Sequence, residues 1–208
     1  MNPARNIAVS LLCMAPTFLW ACGDAEASPD VWEFSGLVQT DIATDYPPLP
    51  GPAAVYSEDV AVVGHISEVL GTAMRSTASG TRPIPYLLVA VTVDEVLAWN
   101  VSGDVQQRLV VAFEYSPTVD EDALVRSAPV GARGVFILIE LDPANPTSSW
   151  IGPPPETPQF VDRPDGVWFG APDGQLVGLR EKREFLSAGW GSPVRFDEFE
   201  AQLRSVRP

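Results

Sequence analysis

The chain is predicted to fold as a mainly β protein, a small antiparallel barrel or highly curved sheet with one C-terminal amphipathic helix. Three observations carry that prediction. Apolar runs of strand length, rich in β-branched residues, recur between Asp59 and Leu179, with glycine- and proline-bearing loops of uneven length between them. No helical pattern separates one run from the next, which argues against a parallel α/β arrangement. A helical period emerges only near the end, where Phe196, Phe199, Leu203 and Val206 recur at spacings of three, four and three and share one face.

The elements follow in order. Ala53 to Glu58 reads as one helical turn, and Asp59 to Leu70 as the first strand. Met74 to Pro85 reads as a polar loop. Tyr86 to Leu97 is the second strand, too long to lie flat and so expected to bend. A turn at Asn100 to Asp104, with Gly103, leads into the third strand, Arg108 to Tyr115. Gly131 to Leu141, GARGVFILIEL, is the fourth, and its unbroken apolar centre implies burial on both faces or a tightly closed barrel wall. Asp142 to Pro164 reads as loop, because its prolines have no amide hydrogen to give a ladder. Two short strands, Val167–Phe169 and Gln175–Leu179, are joined across the turn Pro172-Asp173-Gly174. A helix over 196–206 closes a domain assigned to 53–208.

The order of an acid, here Asp59, ahead of Val62-Val63-Gly64 in a strand, then Val91-x-Val93-x-x-Val96-Leu97, then the glycine-preceded strand Val135 to Leu141, resembles poorly characterised secreted bacterial domains of OB-like class. The likeness spans about Asp59 to Leu179. It implies an OB-like barrel and carries over no catalytic residue.

The amino-terminal part has a different character. A lone Arg5 precedes Ile7 to Ala21, an uncharged apolar run interrupted by Pro16. It is short of the roughly 20 apolar residues that span a bilayer. A basic start, an apolar segment of this length and small residues at the cut instead describe an export signal. Leu19-Trp20-Ala21-Cys22 resembles the lipobox of bacterial lipoprotein precursors. The resemblance implies a signal peptide over 1–21, a diacylglyceryl group on the Cys22 thiol and an acylated new amino terminus. Palmitate-type chains would then hold the protein on the extracytoplasmic face of a cell membrane. Where family members usually carry a small or β-branched residue, this chain has Trp20. An alternative cut after Ala25-Glu26-Ala27 would instead release a secreted protein beginning at Ser28. Residues 22–52 are acidic and proline-bearing and read as a tether, in which Val31-Trp32-Glu33-Phe34 is expected to dock back on the domain as an edge segment or to touch another envelope protein.

Composition excludes several functions. With 13 Lys+Arg against 27 Asp+Glu the net charge is −14, so no cationic surface is available for nucleic acid or for anionic lipid headgroups. The balance favours a cationic partner. The two cysteines are Cys13, inside the signal, and Cys22, which leaves the domain no internal disulfide and no thiolate ligand. His65 is the sole histidine, too few for a usual zinc site, and it is expected to face water or a loop. No G-x-S-x-G elbow accompanies it as a triad base. Neither G-x-x-x-x-G-K-[ST] nor a post-strand G-x-G-x-x-G occurs, so no nucleotide is expected.

Two carboxylates suffice for glycoside hydrolysis, and Asp94, Glu95, Glu114 and Glu140 lie in or near strands. Asp120-Glu121-Asp122 and the loop acids Asp162, Asp165 and Asp173 are calcium candidates, but solvated turns account for them without a metal. Among the tryptophans, Trp150 is expected to be exposed and Trp168 packed; Trp99 and Trp190 suit either a core or a stacking surface. The expected function is a lipid-anchored, exported binding or assembly module of the bacterial cell envelope. It is expected to be no enzyme and to use no cofactor and no metal. Its partners would be the membrane, through the N-terminal lipid, and an envelope protein or cationic molecule. Alternatives are an extracellular carbohydrate-active hydrolase using paired carboxylates and a protease-inhibitor-like barrel.

Overall fold

The computed structural model describes residues 30–38, 48–77, 82–142, 148–180 and 189–208. The signal segment 1–21, Cys22 and the rival cut before Ser28 lie outside them. In chain order the elements are α1 (Val31–Val38), a 3₁₀ turn (Pro52–Ser57), β1 (Val60–Thr77), β2 (Ile84–Trp99), β3 (Arg108–Glu114), α2 (Glu121–Ser127), β4 (Arg133–Glu140), β5 (Ser148–Trp150), β6 (Phe160–Gly170), β7 (Leu176–Gly178) and α3 (Phe196–Ser205).

The strands form one mixed sheet ordered β2-β3-β6-β4-β1-β5, with β7 on β6, and the further pairing of β1 with β2 closes β1, β2, β3, β6 and β4 into a ring. The sheet is mainly β in the predicted sense but is not wholly antiparallel. β3 and β6 run parallel, with Val111 opposite Phe160 and Ala112 opposite Val161. A parallel pair needs a long crossover, and everything from α2 through β5 supplies it.

The two long strands coil because their ladder is broken repeatedly. Register shifts interrupt the β1–β2 pairing at Ala61/Val62, Val63/Gly64, Ile66/Glu68 and Val69/Gly71, and each extra residue bends and twists its strand. Gly64 is required at one of these breaks, since a Cβ there would overlap the Thr92 carbonyl oxygen. β1 also runs on through Met74 to Thr77, residues predicted as loop, because β5 pairs with that extension.

Pro164 lies inside β6, within the stretch 142–164 predicted as loop. The ladder tolerates it because β6 bulges there: Leu138 pairs with Asp162 and Phe136 with Val167, leaving the proline out of register with β4. Gly166 lies in the same bulge, where an added Cβ would press on the Ile137 backbone.

The interior of the ring is filled by Val62, Ile66, Leu87, Val89, Val111, Phe113, Phe136, Leu138, Val167 and Phe169, among others. α1 plugs one end. Phe34 meets Phe113 at 6.5 Å and Phe169 at 6.4 Å between ring centroids, and Ser35 Oγ donates to the Gly178 carbonyl at 2.6 Å. The segment Val31–Phe34 therefore docks as a helix rather than as an edge strand, although it falls in the span expected to be tether. α2 packs Leu124 into the same core. Its Asp120 caps the helix by accepting from the amides of Asp122 and Ala123, so Asp120-Glu121-Asp122 is a helix start rather than a solvated turn.

β4 is buried on both faces, the first of the two arrangements its sequence allows. Phe136 and Leu138 face the barrel core, while Val135 and Ile137 join a second cluster with Trp168, Trp190, Phe199 and Leu203 of the α3 layer. A third small layer covers β2 and β3 from outside, where Trp150 packs edge-on against Tyr86 at 5.5 Å. Trp150 is thus half-buried with the Arg75 guanidinium over its ring, not the exposed residue its proline-rich surroundings suggested. Trp168 is fully packed, as predicted. Among the described residues no helix is long and apolar enough to cross a membrane.

Candidate functional site: an open cleft opposite the helical plug

β1, β3 and β6 all start, and β2 and β4 all finish, at the end of the ring away from α1. That end is open. Three pieces of chain converge on it: the β2–β3 turn, the end of β4 and the approach to β6. The turn is fastened by Asn100, whose amide donates to the Asp59 carbonyl at 2.7 Å and whose Nδ2 reaches the carbonyls of Tyr56 and Glu58 at 3.1 and 2.6 Å. Gly103 takes a left-handed φ of 102°, which a side chain would strain, and its carbonyl accepts from Trp99 Nε1 at 3.2 Å. Asp59 Oδ2 accepts the Glu140 amide at 2.9 Å, and the Leu141 amide donates to Gln159 at 2.8 Å.

Together these ties leave a cleft of about 280 Å³. Its apolar wall is Trp99, Val101, Leu141, Pro158 and Phe160, and its polar lining is Ser102, Gln106, Glu140, Thr157 and Gln159. Trp99 packs edge-on to Phe160 at 6.2 Å, so the inner aromatic is buried and the outer one is half-exposed. The cavity is at the small end of ligand pockets. It suits a side chain or a single small polar molecule.

The candidate acids do not gather there. Glu140 is the one carboxylate lining the cleft. Asp94 lies 3.5 Å from His65 Nδ1 on the barrel wall, which leaves His65 half-exposed as expected. Glu95 is bound by Arg204 and Arg207 of the C-terminal segment. Glu114 belongs to a buried charge group described below. Among the described residues, no cluster of three or more His, Cys, Asp or Glu can hold a metal ion. The loop acids have local duties instead. Asp165 accepts from Arg163 Nε at 2.7 Å and from the Leu49 amide at 2.6 Å, and Asp173 accepts the Gln175 amide across its turn.

The strongest electrostatic perturbation lies at the β3–β6 seam. Arg180, two residues beyond β7, is in ionic contact with Asp162 at 2.9 Å, with their side chains 7% and 2% exposed. Its Nη2 also donates to Asp162 Oδ1 at 3.1 Å and to the Glu114 carbonyl at 2.8 Å. The closest approach, Nε to Oδ2, is electrostatic only, since neither atom has an aligned hydrogen bond. Burial pushes the Asp162 carboxyl up to about 6, the Arg180 cation opposing it and the Glu114 carboxylate adding to it. Burial likewise raises Glu114, and it pushes the Tyr86 hydroxyl up to about 12. One cation serves two carboxylates here, so a proton is the natural second counter-charge. The group is packed among β3, β6 and the end of β7, and it pins Arg180, just after β7, to the barrel.

Sequence reasoning named Trp99 and Glu140 without placing them together. It missed Asp162–Arg180 as a pair, and no sequence spacing reveals a contact made across a barrel seam. No family model, no curated protein and no solved structure matches this chain.

Proposed function

We propose that this chain is a lipid-anchored, exported binding module of the bacterial cell envelope, built on an OB-like barrel and attached through Cys22. The observation that carries the reading is the lipobox-like Leu19-Trp20-Ala21-Cys22 directly after an uncharged apolar segment. The five-strand ring filled by side chains is in keeping with an OB-like barrel. The arrangement of the two ends supports the same reading. Only Gly23 to Asp30 separate Cys22 from α1, a reach of at most about 29 Å at ~3.6 Å per residue. An anchor at Cys22 would keep the plugged end near the bilayer and leave the cleft, at the other end, turned toward the surrounding medium.

A binding role fits the cleft better than the hydrolase alternative does. Paired-carboxylate hydrolysis needs two acids facing each other across the site, roughly 5 to 10 Å apart, and the cleft lining supplies Glu140 alone. The anchor is tested by detergent phase partitioning of the protein expressed in a bacterial host. The wild type is expected in the detergent phase and Cys22→Ser in the aqueous phase, because two or more acyl chains hold a protein stably on a membrane. Equal partitioning of the two forms would remove the anchor.

A further inference from the structure

We propose that the cleft binds the cationic end of an arginine or lysine side chain, with Glu140 as its counter-ion and Trp99 as the face on which its alkyl stem and charge rest. This deepens the binding-module reading and takes its biological setting from it, but the chemistry of the cleft is the same whether or not Cys22 is acylated.

Three observations converge. First, the lining carries one formal charge, that of Glu140, whose backbone is held by Asp59 and by pairing with Phe160 and whose exposed side chain makes no ion pair among the described residues. Glu95 and Asp162, by contrast, each meet an arginine, Arg204 and Arg180. Second, the aromatic beside it is fixed. Trp99 is anchored at both edges, through Nε1 to Gly103 and through its ring to Phe160, while part of its surface stays open. A cation over an indole face gains about 0.5–2 kcal/mol, and the long apolar stem of Arg or Lys lies naturally along such a wall. Third, the remaining polar lining is neutral: Ser102, Gln106, Thr157 and Gln159 offer hydroxyl and amide oxygens that accept from ammonium or guanidinium groups. A chain of net charge −14 attracts a cation toward this opening and repels an anion from it.

The test titrates the full-length protein in detergent with Nα-acetyl-arginine amide, Nα-acetyl-lysine amide, the uncharged Nα-acetyl-citrulline amide and putrescine, read by calorimetry and tryptophan fluorescence. At least one of the two cationic amino-acid amides is expected to bind about tenfold or more tightly than the citrulline amide. Glu140→Gln is expected to abolish that preference with an unchanged thermal midpoint, and Trp99→Leu to weaken every probe. Tighter binding of putrescine than of both amino-acid amides would overturn the side-chain assignment in favour of a free polyamine. Equal binding of arginine and citrulline derivatives, binding of none of the probes, or a charge preference that survives in Glu140→Gln would overturn the site. Cys22→Ser run in parallel separates the questions, since loss of the anchor leaves the expected binding intact.

Discussion

The two ends of the barrel treat charge and aromatic surface in opposite ways. Around the plugged end, α1 seals the core with Phe34, Ser35 ties α1 to the last residue of β7, and Arg180, two residues beyond that strand, is buried against Asp162. At the other end the backbone is fastened as firmly, by Asn100 and Asp59, yet Glu140 has no cation beside it among the described residues and Trp99 is half-exposed. A protein that only needed to close both ends has the same means available at each. The contrast teaches that the open end is held by hydrogen bonds to its backbone, which leave Trp99 and Glu140 partly open, whereas at the plugged end the packed side chains themselves do the holding.

Substitutions divide the ends by what they change. The largest effect is expected from Arg180→Met. It leaves the buried Asp162 carboxylate without its cation, and breaking a buried pair in this way destabilises by about 3–5 kcal/mol. Urea unfolding followed by near-ultraviolet circular dichroism measures it; a loss under 1 kcal/mol would mean that the pair is not a pin. Next comes pH. Asp162 has a folded-state value of about 6 against an ordinary 3.8, so the folded protein holds this proton more tightly than the unfolded chain. The stabilisation from that proton is fully present below about pH 4 and is lost as pH rises through about 6, a change on the order of 1–3 kcal/mol. Comparing wild type with Asp162→Asn isolates it: their stability difference should vary across this window and be flat above pH 7.

Smaller effects belong to the open end. Asn100→Ala removes two hydrogen bonds from Nδ2 to the Tyr56 and Glu58 carbonyls, which tie the β2–β3 turn to the segment before β1. A loss of about 1–2 kcal/mol is expected, along with altered fluorescence from the neighbouring Trp99. Glu140→Gln should change stability least, within about 0.5 kcal/mol, as for exposed residues without a structural partner. A large destabilisation by Glu140→Gln would erase the contrast between the ends.

Local chemistry was legible in the sequence and distant pairing was not. The four main strands, the Pro172-Asp173-Gly174 turn and α3 follow from period and turn residues that act within a few positions. VFILIEL narrows β4 to two-faced burial or a closed barrel wall, and the α3 layer decides for the former. α1 was hidden because Val31 to Phe34 is short and set among acids and prolines; its helical character depends on burying Val31, Phe34 and Val38 in the barrel mouth. α2 carried a usable signal, an Asp120 cap with Glu121 and Asp122 in the first turn and Arg126 in the last, which the reading of those acids as a turn passed over. The parallel β3–β6 pair and the placement of Pro164 in a bulge depend on how the ring closes, and no window of sequence contains that information. The same holds for the cleft, whose Trp99, Glu140 and Phe160 come from three separate strands.

Mass spectrometry of the mature amino terminus, on protein recovered from bacterial membranes, tests the lipid-anchored binding module most directly. The expected result is a chain beginning at Cys22 and carrying the mass of a diacylglyceryl group, with a further acyl group on the new amino terminus. A chain that begins at Ser28, or that retains Met1 with an unmodified Cys22, would contradict it.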